Sequence, residues 1–250
     1  MTKKHSLLSI SALFFTLCIS GDSWARDGDL LRAVDERKIS EVERFLNRDT
    51  INNQDELNLA LYSAARIGNR EIARLLLAGG AEVDSRSGGK YLPTPMHMAT
   101  DRGHSGVVSL LLQCGANVDY RDGDGWTPLH LAAAGGYFNI ISILLENGAR
   151  IDSKDRHGAT PLFKAVSGGK TKMVEFLLKN GAEVHPENRY GRTLLSQAGN
   201  SDIVNLLLQY GVKPTEECTK DGETALHRAA KRDPEDKTIK LLCRRLAVGD

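Results

Sequence analysis

The chain has 250 residues, with 33 Lys and Arg against 32 Asp and Glu, and a net charge of +1. That near-balance gives no electrostatic reason to expect nucleic acid or an anionic membrane surface as a partner. The length is ample for a buried core without disulfide support.

The N-terminus opens on Lys3 and Lys4, continues through an apolar stretch from Leu7 to Ile19, and reaches Ser23-Trp24-Ala25, with small residues at −3 and −1 of a cut. This is the pattern of a secretory signal peptide over residues 1–25. The apolar run falls short of the ~20 residues a membrane span needs. Cys18 follows Leu17 rather than a small residue, so lipidation is not expected. The chain from about residue 26 is expected to be exported and soluble, most simply in the periplasm of a Gram-negative bacterium, with secretion as second choice. No Asn-x-Ser/Thr acceptor occurs, which favours a bacterial envelope over a eukaryotic secretory route. Of Cys114, Cys218 and Cys243, an odd number, only Cys218 with Cys243, both in the last unit, is considered as a pair.

Thr94-Pro95-Met96-His97 returns as Thr127-Pro128-Leu129-His130 and as Thr160-Pro161-Leu162-Phe163, each 33 residues after the last. Thr193-Leu194-Leu195-Ser196 keeps that step, and Thr224-Ala225-Leu226-His227 follows 31 residues on. Such a period predicts stacked helix pairs rather than one globular core. Threonine suits an N-cap and proline the first helical position, where its missing N–H is no loss. Gly135-Gly136 is expected to stop the first helix, and Ile140, Ile141, Ile143, Leu144 and Leu145 to form a second, ended by Gly148. One pair cannot cover its own apolar face, so stability becomes a sum over neighbouring interfaces.

Gly125-Trp126-Thr127-Pro128-Leu129-His130-Leu131-Ala132-Ala133, with Gly136, Leu144-Leu145 and Gly148-Ala149, resembles the ankyrin repeat. The resemblance implies an all-α solenoid of about seven helix-turn-helix units joined by hairpin-like connectors, spanning residues 26–250. The units start near Gly28, Leu59, Thr94, Thr127, Thr160, Thr193 and Thr224, with the first and last as caps. The first unit has Arg37 where the others place glycine. The second has Leu59-Ala60-Leu61-Tyr62 at the signature, and the sixth is shortened around Gln197-Ala198-Gly199-Asn200, where the stack is expected to be irregular.

The candidate sites for chemistry are weak. His97, His130 and His227 stand one unit apart in a row rather than converging, and the resemblance implies a structural hydrogen-bonding role. Asp119, Asp122 and Asp124 lack the required glycine and the late glutamate of a calcium loop, so turn formation is expected. Ser87-Gly88-Gly89-Lys90 lacks the spacing and following helix of a phosphate loop. No catalytic, cofactor or metal residues are proposed, and the chain is not expected to be an enzyme.

The resemblance implies partner contacts at the connector tips and on the exposed side of each first helix, which together make a concave face. Those positions are Lys90, Tyr91, Asp101 and Arg102 in the third unit, Asp124 and Trp126 in the fourth, Arg156 and His157 in the fifth, Arg189, Tyr190 and Arg192 in the sixth, and Lys231 and Arg232 in the last. Aromatics and arginines are enriched at interface hot spots. The expectation is therefore a monomeric, exported scaffold holding an envelope or secreted protein, as inhibitor or accessory. Replacing Trp126 or Tyr190 by Ala should then spare the melting temperature and weaken capture.

Overall fold

The computed structural model describes residues 28–47, 53–86, 93–184 and 188–212, which form twelve helices and no strand. They run in pairs: α1 (Gly28–Asp35) with α2 (Ile39–Leu46), α3 (Gln54–Ile67) with α4 (Arg70–Ala78), and α5 (Pro95–Asp101) with α6 (Ser105–Gln113). Then follow α7 (Pro128–Gly135) with α8 (Phe138–Glu146), α9 (Pro161–Ser167) with α10 (Thr171–Lys179), and α11 (Leu194–Gln197) with α12 (Ser201–Gln209). The signal segment, Cys218 with Cys243, and the seventh unit lie outside the described residues.

The first helices of successive pairs pack side by side from α1 to α11. The second helices form the other layer, with α2 on α4, α4 on α6, α6 on α8, and α10 on α12. Between α8 and α10 the rings of Phe138 and Phe176 meet edge to face at 5.4 Å. The core lies between the layers. Leu61, Met96, Leu129 and Leu162 fill it from the first helices, and Leu76, Leu111, Leu144 and Leu177 from the second, all without solvent exposure. Ala64, Ala99, Ala132 and Ala165 let the backbones approach, and each buried Leu contributes about 1.5–3 kcal/mol because the adjacent unit supplies the other wall.

The helix starts follow from local chemistry. Thr94, Thr127 and Thr160 take extended backbone as N-caps, with proline next, so these helices cannot extend backward. The second unit has neither residue, and its first helix begins at Gln54, five residues before the signature register at Leu59. Asn53 caps it by accepting from the Asp55 N–H at 3.1 Å, and Asp55 and Glu56 complement the helix dipole. Arg37 holds φ 60°, the left-handed backbone that glycines adopt in the equivalent turns, a conformation costing about 1–2 kcal/mol for a side-chain-bearing residue. In the sixth unit α11 is a single turn, ended by Ala198 in extended conformation.

Thr100, fully buried in α5, occupies the register held by Ala133 and Val166 one and two units on. Its Oγ1 has no hydrogen-bond partner among the described residues. Thr100→Val is expected to raise stability by about 1 kcal/mol, read as a higher urea midpoint with unchanged slope. A lower midpoint would show that the hydroxyl is satisfied.

Candidate functional site

Three consecutive connectors share one construction. The Asp122 N–H donates to the Trp126 carbonyl at 2.9 Å, Asp155 to Ala159 at 2.9 Å, and Asn188 to Arg192 at 3.1 Å. The same three side chains staple the turns from within, since each Oδ1 accepts two backbone N–H groups. Asp122 takes those of Asp124 and Trp126, Asp155 those of His157 and Ala159, and Asn188 those of Tyr190 and Arg192, all at 2.8–2.9 Å. Asp122 is thus a turn former, as expected. Asp119 instead reaches across units to the N–H and guanidinium of Arg150, at 3.2 and 2.8 Å. Asp84 accepts from the Asn117 N–H, and Asp152 from that of Glu183, in the same register.

Adjacent tips are joined through the main chain. The Arg156 N–H donates to the Asp124 carbonyl at 3.0 Å and the Arg189 N–H to the His157 carbonyl at 2.7 Å. Gly125 and Gly158 make this approach possible. Both have φ above +70°, and a Cβ there would stand 2.9 and 3.0 Å from the amide nitrogens of Arg156 and Arg189.

The histidines knit the stack. His97 and His130 have no solvent exposure. Each Nδ1 accepts from the N–H of its own capping threonine, at 3.2 Å from Thr94 and 3.1 Å from Thr127. That leaves the proton on Nε2, which donates to the carbonyl of Trp126 or Ala159 in the following unit, at 3.1 and 3.0 Å. Burial pushes both pKa values down to about 4. Phe163 fills the third such position and leaves the interface to the sixth unit without this bond, while its N–H still donates to the Thr160 hydroxyl at 3.2 Å. The structural role expected of His97 and His130 thus includes a cross-unit contact; His227 lies outside the described residues.

Trp126 corrects a sequence expectation. It is half-buried, with the Lys164 ammonium 4.2 Å above its ring and His130 tilted against it at 6.3 Å. Lys164 in turn pairs at 2.8 Å with the buried Asp155 carboxylate. Burial works to raise the pKa of Asp155, but Lys164 and the N–H groups of Ala159 and His157 outweigh it and hold the acid below its usual range. Trp126 is therefore packed into the stack, and Trp126→Ala is expected to lower the melting temperature rather than spare it.

At the connector tips the exposed features are a platform and a groove. Tyr190 is 54% exposed, its ring stacked on His157 at 5.7 Å, with its hydroxyl 3.1 Å from His157 Nδ1 and the Arg192 guanidinium 5.8 Å from the ring. Beside it runs a groove of about 670 Å³ lined by Arg121, Asp122, Gly125, Lys154, Asp155, Arg156, Gly158, Asn188 and Arg189. Asp124, Arg156, His157, Arg189, Tyr190 and Arg192 thus gather at the tips of units four to six. Asp101 and Arg102 do not join them. They sit at the far end of α5, 3.6 Å from one another, where the Asp101 carbonyl accepts from the Tyr137 hydroxyl. Lys90, Tyr91, Lys231 and Arg232 lie outside the described residues. Arg121 and Lys154 are additions. Their signal was present in the sequence: two cations one unit apart, each preceding a turn aspartate.

The family model for ankyrin repeats (3 copies) matches residues 30–122, 96–188 and 150–218. The chain belongs to the ankyrin-repeat family. Ankyrin arrays are non-catalytic scaffolds that generally mediate protein–protein contact. Among curated relatives, palmitoyltransferase Hip14 of Drosophila melanogaster is 36% identical over 99 residues, 39% of this chain and 15% of that protein. Palmitoyltransferase ZDHHC13 of Mus musculus is 39% identical over 74 residues, 29% of this chain and 12% of the relative. The E3 ubiquitin-protein ligase KEG of Arabidopsis thaliana is 36% identical over 66 residues, 26% of this chain and 4% of the ligase. This ankyrin chain spans about a seventh or less of each relative. The relatives are named for different activities and match only short parts of their length, so the likeness is not evidence of a chemistry. Among the described residues no helix is long and apolar enough to cross a membrane, and no group of three or more His, Cys, Asp or Glu is placed to hold a metal.

Proposed function

We propose that this ankyrin array is an exported scaffold that holds an envelope or secreted protein at the connector tips of units four to six, as an inhibitor or an accessory of that client. The observation that carries the reading is the His157–Tyr190–Arg192 platform next to a cationic groove, where Tyr190 is the most exposed large hydrophobic side chain among the described residues. Export rests on the leader pattern of residues 1–25.

Tyr190→Ala removes a half-exposed ring at the array's surface, with its contacts to His157 and Arg192 but none to the buried core. It is expected to leave the melting temperature within a degree or so of wild type and to weaken client capture about tenfold, as loss of an aromatic anchor does. Pull-down from periplasmic extract with both proteins checks this, and equal recovery by the variant would move the contact elsewhere. The likeness to eukaryotic repeat proteins favours a second reading, a released effector acting on host proteins. Fractionation separates the two, since retention in the periplasm excludes the effector.

A further inference from the structure

The groove wall has an uneven charge distribution. Arg121, Lys154, Arg156 and Arg189 are all exposed. The acids of the same wall are turned inward: Asp155 is buried against Lys164, and Asp122 is half-buried with its Oδ1 occupied by two N–H groups of its own turn. Asp124 is exposed on the tip but does not line the groove. A ligand lying there meets a lining whose exposed charges are all positive, with the Arg121 guanidinium also donating to the Lys154 carbonyl.

The cations are also spaced. Arg121 and Lys154 occupy one register of the repeat, and Arg156 and Arg189 a second, each pair one unit apart. Packed helices lie about 8–10 Å apart, which sets the step between units. A polyproline-II chain advances about 9 Å per three-residue turn and returns every third side chain to the same side. The two pitches agree.

Resting on the scaffold reading above, we infer that the groove takes an acidic segment of the client in extended, polyproline-II-like conformation, with a carboxylate at every third residue facing one cation of each unit. A single-stranded nucleic acid would satisfy the charge, but it also needs aromatic faces for its bases. At the described tips only the His157–Tyr190 pair offers such a face, since Lys164 covers the ring of Trp126, and one face does not serve a strand laid across three units.

The test uses the whole chain and fluorescence anisotropy with labelled peptides. A peptide of four Glu-Pro-Pro triplets is expected to bind, with affinity falling steeply as salt is added. The Gln-Pro-Pro counterpart should not bind, and a peptide of the same composition with its glutamates contiguous should bind several-fold more weakly. Lys154→Glu combined with Arg189→Glu, both exposed, should retain the wild-type melting curve and weaken the spaced peptide at least tenfold. Unchanged affinity in that variant, equal binding of the glutamine peptide, equal binding of the contiguous peptide, or tighter binding of an oligothymidylate of matching length would each overturn the inference. The scaffold reading fails separately. If the charge-reversed variant still captures a client that Tyr190→Ala loses, the acidic segment is wrong and the scaffold stands; if wild type captures no client, the scaffold itself is wrong.

Discussion

Acidification from about pH 7 to about pH 5 is expected to remove roughly 2 kcal/mol of folding stability for each of His97 and His130, reaching about 3 kcal/mol each near pH 4. In the unfolded chain an imidazole takes its proton near pH 6.5, whereas in the fold burial holds that event down to about 4. Between the two values the unfolded state binds protons that the folded state refuses, so stability is complete above the upper value and declines as pH falls through the window. The geometry explains the refusal. Nδ1 already accepts an N–H from Thr94 or Thr127, so a proton there would set donor against donor, and the charge would sit in an apolar layer. Urea unfolding across this range measures the slope. His130→Phe, copying what Phe163 does one unit on, should be less stable at neutral pH yet lose its share of the acid sensitivity. Parallel pH curves for wild type and variant would refute the assignment.

Alanine at Gly125 or Gly158 is expected to cost about 2–3 kcal/mol, against about 1 kcal/mol at Gly148. All three have φ near +80°, so the torsional penalty is shared. The surroundings differ. A Cβ on Gly148 meets nothing within 4 Å, while on Gly125 or Gly158 it meets the amide of the next tip at 2.9 or 3.0 Å, and that amide is engaged with Asp124 or His157. Thermal or urea unfolding of the three variants separates torsion from contact, and equal losses would mean the tips part freely. The same two substitutions should also impair peptide binding in the groove, because they push apart the connectors that line it.

Most of the stack was legible because its punctuation is local. Threonine before proline marks where α5, α7 and α9 begin, and glycine where the turns fall, for reasons that act within a few residues. Where that punctuation is missing, legibility fails. Nothing at Leu59 stops the helix from running back to Asn53, a cap that only its own side chain announces. The candidate site was half legible for a related reason. Register alone puts Arg156, His157, Arg189 and Tyr190 on successive tips, and it would equally have offered Arg121 and Lys154. Register says nothing about which face of Trp126 is covered, because Lys164 arrives from the next unit. Nor does it reveal that His97 and His130 reach forward to carbonyls 29 residues away. Asp101 and Arg102 were misgrouped because one helix length separates them from the tips, a distance that a list of exposed positions does not record.

The tethers between successive connectors run through peptide groups, Arg156 to Asp124 and Arg189 to His157. A bond made by the backbone is indifferent to which side chain it carries. The pitch of the groove is therefore inherited from the chain itself, and the exposed cations that decorate it are free to change without disturbing the ruler on which they are mounted, so long as the turn glycines and the stapling Asp122, Asp155 and Asn188 stay. Such an array can be re-addressed to a new client by surface replacement alone, which separates the evolution of recognition from the maintenance of the fold.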